Sequence, residues 1–399
     1  MDNDRLLALS SAFSPSAPID QQSLFAGRLH QMMDAINAIG QKGQHAILFG
    51  ERGVGKTSLA RVISRIRYGS NAQHLAVAAI NCDPTITFST LWKKIGREIP
   101  IAQSANGIGF TATPNLHTST IADYLPDNIT PDDIRHVFSR MGKILIVIDE
   151  LDRIEDKTTT SLLADTIKTL SDHAVDTTLL LVGVADSVDT LITEHQSVER
   201  ALVQIRMPRM SPVELHEIID KGLQKANMTI TKEARQKIAA LSQGLPHYTH
   251  LLAQHAGQRA ALNDKTEVGS SDVRTAIDNA LAKAQQSIIS SYHKATNSPR
   301  ENLYPQVLLA CAMAKPDNLG YFAAADVREP LSSIMKKTYD IPAFAQHLNA
   351  FCEQNRGPVL QRSGSARRYR FRFINPLLQP YVLMNGIRHG YIKEADIPG

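Results

Sequence analysis

The chain has 399 residues, above the ~250–300 at which a single hydrophobic core stops growing, so two or three domains are expected. Apolar residues make up 43% and charged residues 21%, as in ordinary globular proteins, and a net charge of +4 excludes a global polycation that would coat nucleic acid. The surplus is local: residues 301–399 carry 12 Lys/Arg against 8 Asp/Glu, whereas residues 1–300 carry 31 of each.

Residues 1–22, with their Ser, Pro and Gln, read as an extended lead-in. A helix is expected over 28–39, with Leu29, Met32, Met33 and Ile36 on one face. Residues 45–49 form a short apolar strand that ends at a glycine, and a helix follows to about residue 68. Residues 75–80 read as a second strand and 88–95 as part of a helix. The stretch 99–129 is rich in Gly, Asn, Thr and Pro and reads as an insertion or loop. Thr130-Pro131-Asp132-Asp133 is a helix start: a capping residue, a proline at the first helical position and an acid three residues after the cap. Residues 144–148 are five consecutive aliphatics, the mark of a strand buried on both faces. A helix near 160–170 and strands over 179–184 and 202–207 complete an alternation that points to a parallel sheet. Ser211-Pro212-Val213-Glu214 is a capping box, and the pattern is helical from there to about residue 291. Residues 297–302 read as a linker, and 303–399 as a last small domain, helices first and strands later. The three cysteines are scattered and match no metal-ligand spacing, so a reduced, cytoplasmic protein is expected. No apolar run reaches the ~18 residues of a membrane span, and residues 1–5 lack an apolar signal segment.

The strongest motif is Gly50-Glu51-Arg52-Gly53-Val54-Gly55-Lys56-Thr57, followed by Ser58. It fits G-x-x-x-x-G-K-[ST] and sits between an apolar strand and a helix, the context that motif needs. The glycines let backbone N–H groups turn around phosphates, and the helix N-terminus adds its dipole. Lys56 is expected on the β- and γ-phosphates of ATP, and the Thr57 hydroxyl on Mg²⁺. The strand over 144–148 delivers Asp149 to the carboxyl edge of the sheet as a second Mg²⁺ ligand. Glu150 is positioned by sequence to polarise the attacking water as general base.

The order P-loop, strand, Asp-Glu, strand, then an all-helical segment resembles the AAA+ ATPases over about residues 20–290. The finer resemblance is to the origin-recognition/initiator clade and its bacterial relatives. Leu24-Phe25-Ala26-Gly27-Arg28 resembles that clade's Gly-Arg box, which implies that Arg28 lies near the adenine. Ile80-Asn81-Cys82 resembles the end of its second strand. The resemblance implies a sensor at Asp186 or at Ser187, although aspartate departs from the usual asparagine and a loop-capping role stays open. It implies a trans-acting arginine finger at Arg200, with Arg206 and Arg209 in reserve and a plain surface arginine as the alternative. His247 stands where the clade has a lid arginine, and would meet a phosphate unless it only caps a turn. Ser242-Gln243-Gly244-Leu245-Pro246-His247 also resembles the G-x-P motif of STAND signalling ATPases.

Residues 359–362, a Ser-Gly turn and 367–373 read as a hairpin. Tyr369, Phe371 and Phe373 share one face, expected against Phe344, Leu348 and Phe351; Arg368, Arg370 and Arg372 share the other. Helices before such a hairpin resemble a winged helix, and the arginine row would suit DNA phosphates. Alternation is equally what any half-buried hairpin shows. Residues 381–384 read as core helix.

The expected fold is α/β: a P-loop NTPase parallel sheet of AAA+ type with a helical lid and a C-terminal winged-helix-like domain. The expected boundaries are a lead-in over 1–22, a nucleotide-binding domain over 23–210, a lid over 211–296 and the C-terminal domain over 297–399. The expected function is an ATPase that uses nucleotide-dependent homo-oligomeric assembly as a switch, on DNA. The alternative is a STAND-like signalling ATPase, for example in bacterial defence, whose output is binding of a protein partner.

Overall fold

A computed structural model of the chain describes residues 3–15, 26–68, 73–74, 76–101, 119–184, 198–298, 302–317, 319–365 and 368–397. The chain divides into two compact units. A sheet unit comprises residues 28–50 and 56–207; a helical unit comprises 1–27, 51–55 and 208–399.

Helix α1 (Asn3–Ala12) opens the chain and belongs to the helical unit. In the sheet unit, α2 (Leu29–Gly40) leads into β1 (His45–Phe49). Next come α3 (Lys56–Ser64), β2 (Ala76–Asn81) and α4 (Phe88–Arg97). Then follow α5 (Pro131–Phe138), β3 (Ile144–Asp149), α6 (Lys157–Asp172), β4 (Thr177–Gly183) and β5 (Leu202–Arg206). The five strands form one sheet in the order β2-β3-β4-β1-β5, and every pairing is parallel. β3 and β4 are buried along their whole length, which is why they read as unbroken aliphatic runs. Edge strand β2 alternates instead. Trp92 is fully buried, 6.2 Å from the Phe88 ring and 5.7 Å from the Phe138 ring. Thr130 caps α5 as its sequence requires: its side chain accepts from Asp133 N–H while Asp133 reaches back to Thr130 N–H. Within the stretch 99–129, Pro100–Ile101 pairs with Ser119–Thr120, and a short 3-10 turn, Ile121–Tyr124, follows.

The helical unit continues with α7 (Pro212–Lys225), α8 (Lys232–Ser242) and α9 (Pro246–Leu262). α10 (Ser270–Ala282) and α11 (Gln286–Thr296) complete the first bundle. The last segment runs α12 (Tyr304–Met313), β6 (Phe322–Ala323), α13 (Ala324–Met335) and α14 (Ile341–Ala350). It ends with β7 (Leu360–Ser363), β8 (Arg370–Phe373) and α15 (Leu378–Arg388). Its strands form an antiparallel sheet, β6-β8-β7. The expected hairpin is therefore present and has gained a third strand, whose Phe322 packs against Phe371 and Phe373. Residues 381–384 are buried in α15. One continuous apolar core runs from Leu9 to Ile397.

The reading of residues 1–22 as extended is corrected over its first half. Leu6, Leu9 and Phe13 recur at helical spacing, a stripe that the surrounding serines obscure. Leu9, Ala12 and Phe13 are buried in the core of the helical unit. Glycines in the facing helices make the room: a Cβ at Gly222 would run into the Phe13 ring, and one at Gly257 would lie 2.8 Å from a Leu9 methyl.

Candidate nucleotide site

In the sheet unit, β1 brings the chain to Gly50, and α3 starts at Lys56. Met207 N–H donates to the Phe49 carbonyl at 2.7 Å, so strand pairing continues to the edge of the loop. A Cβ at Gly50 would run into the Met207 carbonyl, so no other residue fits there. Lys56 Nζ donates to the Gly50 carbonyl at 2.9 Å.

Asp149 ends β3 and is 7% exposed. Its Oδ1 accepts the Glu150 N–H at 2.8 Å, and its carboxylate accepts the Thr57 hydroxyl. Burial pushes its pKa up; the Thr57 hydroxyl, the Glu150 N–H and the Lys56 charge oppose that. A cation beside it would relieve the cost of burying the charge. A buried carboxylate touching a hydroxyl is the hard-oxygen pair that suits Mg²⁺. Glu150 leaves the strand in a left-handed conformation, φ 57°. Its carboxylate is half-exposed and meets Arg153 at 3.2 Å. Asn81 lies beside Asp149 in register across β2 and β3, and its carbonyl accepts from Lys94 at 2.9 Å.

In the helical unit lies the arm Glu51–Gly55. Gly53 and Gly55 take φ values of 86° and 95°, which a side chain would strain. A Cβ at Gly53 would lie 3.3 Å from Leu377, and one at Gly55 3.8 Å from Pro246. Glu51 and Arg209 form a bidentate ion pair: Nε to Oε2 is 2.6 Å and Nη2 to Oε1 is 3.2 Å. Arg209 Nη1 donates to Gln379 Oε1 at 2.7 Å and to the Gln243 carbonyl at 3.2 Å. Gln379, 2% exposed, donates to Ala312 O at 2.8 Å and to Gln243 Oε1 at 3.2 Å.

The remaining expected residues are distributed as follows. Val54 is buried, Arg52 is exposed and Ser58 lies in the first turn of α3. Arg28 is buried at the head of α2 with φ 63°. Arg200 is exposed in the turn before β5. Asp186 and Ser187 lie outside the described residues. His247 Nδ1 lies 2.7 Å from the Pro15 carbonyl, and burial lowers its pKa while that contact opposes the shift. Its neighbours Leu245 and Pro246 face the arm instead. Arg368 and Arg370 are exposed on β8 and the approach to it, but Arg370 pairs with Asp317 at 2.8 Å. Arg372 donates to Gln361 at 2.8 Å and stands 4.8 Å over the Tyr321 ring. The junction of Glu51, Arg209 and Gln379 escaped the sequence reading, because no local spacing links residues 158 positions apart.

A family model described as Novel STAND NTPase 1 matches residues 13–328. Among solved structures, the Walker-type ATPase PABY2304 of Pyrococcus abyssi aligns with TM-score 0.53 over 92% of this chain and 98% of its own, at 15% identity. The ORC2 protein of Aeropyrum pernix aligns with TM-score 0.49 over 95% and 98%, at 14% identity. Cdc6p of Pyrobaculum aerophilum aligns with TM-score 0.46 over 96% and 99%, at 15% identity. At these identities the similarity is one of fold. No curated protein matches the chain.

Proposed function

The chain belongs to the Novel STAND NTPase 1 family and is an ATP-hydrolysing P-loop enzyme, and from that premise we propose that it is a nucleotide-state switch whose output is binding of protein, its own copies included. One observation carries this reading. The P-loop arm is bonded through Glu51 and Arg209 to the lid at Gln243 and to the last helix at Gln379. A change at the phosphates therefore acts on bonds that hold the helical unit together.

The chemistry assigned to the site follows from its residues. Lys56 neutralises phosphate charge and orients the terminal phosphate for in-line attack. Thr57 and Asp149 would hold Mg²⁺, which supplies further charge neutralisation at the β- and γ-phosphates. Glu150 accepts the proton of the attacking water, and its half-exposed carboxylate is reachable by solvent. Arg200, exposed ahead of β5, is the residue we assign to a neighbouring copy's site. Arg28 is assigned to the adenine side.

The order helix, strand, helix, helix, strand, strand over residues 304–373 supports a winged-helix-like reading of the C-terminal segment. Two observations favour protein over DNA as its partner. Its third helix, α14, which enters the groove in DNA-binding versions, contains no Lys or Arg. Arg370, central in the row, is already paired with Asp317. Duplex-DNA binding, followed by fluorescence anisotropy at several salt concentrations, is the check. Changing Arg368, Arg370 and Arg372 together to Ser should alter the slope of log affinity against log salt by less than about 1 unit. A fall of roughly 3 units, one per phosphate contact, would restore the DNA reading.

A further inference from the structure

The first variable position of the P-loop carries a carboxylate, Glu51, in a loop whose motif serves anionic phosphates. An unbalanced negative charge there opposes the ligand. Its side chain is 11% exposed and that of Arg209 is 17% exposed, so water and salt screen the pair poorly. The charge is also held in place. A Cβ at Gly320 would run into Glu51 Oε1, so the carboxylate is packed against backbone. Arg209 answers with a bidentate fork, the geometry that fits a carboxylate best. Its remaining nitrogen is fixed by Gln379 Oε1 at 2.7 Å and the Gln243 carbonyl at 3.2 Å. A Cβ at Gly244 would lie 2.6 Å from Arg209 Cβ, so the close approach of the two backbones there depends on glycine.

We propose that Arg209 is a positioning residue for the nucleotide: it cancels the Glu51 charge and holds the P-loop arm in the shape that accepts a triphosphate. It does so without touching the phosphates. The proposal rests on the P-loop being the ATP site. Gln379 belongs to α15 and Gln243 to the end of the lid helix α8, so nucleotide affinity depends on both being docked around this guanidinium. By linkage, bound nucleotide strengthens that docking in return.

The test is calorimetric titration of MgATP into the full chain, with melting temperature recorded for each variant. Arg209→Gln should weaken binding about tenfold, because it leaves a poorly screened carboxylate in the loop. Arg209→Lys, which keeps the charge but loses the fork, should fall between wild type and Arg209→Gln. The deciding comparison is Glu51→Gln against Glu51→Gln/Arg209→Gln. With the carboxylate already neutral, removing Arg209 should cost less than about threefold. This pair is informative even if Arg209→Gln alone fails to fold. A double variant that loses as much relative to Glu51→Gln as the single loses relative to wild type would overturn the proposal, since Arg209 would then act through packing alone. Wild-type affinity in Arg209→Gln would overturn it as well. Lys56→Ala separates the two ideas: if it binds MgATP as wild type does, the P-loop reading fails first and the Arg209 proposal with it.

Discussion

Lys56→Ala is expected to lower MgATP affinity by at least about 100-fold, which is roughly 2.7 kcal/mol of binding free energy. Lys56 closes the P-loop at the first residue of α3, and its Nζ lies on the Gly50 carbonyl at the entrance of the loop. In the helical unit, Arg209 is already engaged with Glu51, Gln379 and Gln243. Alanine favours the helix it would join, so the fold should survive. Calorimetric titration reads the affinity directly, and an unchanged value would remove the P-loop assignment.

The second large effect is on turnover. Glu150→Gln should leave MgATP affinity within about threefold while slowing phosphate release at saturating ATP by at least about 100-fold. The reason is division of labour at the end of β3. Asp149 is buried and bonded to the Thr57 hydroxyl, so the pair we assign to Mg²⁺ does not involve the Glu150 side chain. Glutamine keeps the size of Glu150 and a weak version of its contact with Arg153, but it cannot take a proton from water. Wild-type phosphate release from this variant would move the base elsewhere.

Parts of this architecture were legible in the sequence for physical reasons. β1, β3 and β4 are largely or wholly buried, so each carries an apolar run, of which residues 144–148 of β3 are an unbroken aliphatic one. The loop motif and the Asp149-Glu150 pair are local in sequence. Their role depends on a strand-loop-helix context that can be read residue by residue. The capping boxes at Thr130 and Ser211 mark two helix starts that the structure reproduces.

The rest depends on contacts distant in sequence. Helix α1 lacks strong amphipathic contrast, and only the glycines at 222 and 257 reveal that Leu9 and Phe13 have a place to dock. Strand β6 is two residues long and exists because Phe322 pairs with Phe371 on β8. His247 fits a lid motif by position, and the contact of its ring nitrogen with the Pro15 carbonyl, 232 residues away, has no local signature. Glu51 belongs to the loop motif and Arg209 is a reserve candidate for the finger by position; only the fold brings them into one bidentate pair. The arginine row of the hairpin alternates in sequence, but the partner of Arg370, Asp317, sits in the α12–β6 connection, which alternation cannot indicate.

If the nucleotide state sets what the chain binds, its own copies are the first partner to follow. The most direct measurement is the mass distribution of the Glu150→Gln variant in solution, loaded in turn with MgATP and with MgADP at equal protein concentration. Because this variant is expected to hold ATP without consuming it, the ATP state should persist for the length of the measurement. Larger assemblies are expected with MgATP and smaller species with MgADP, with Lys56→Ala resembling the MgADP sample under both conditions. Identical mass distributions for the two nucleotide states would contradict it.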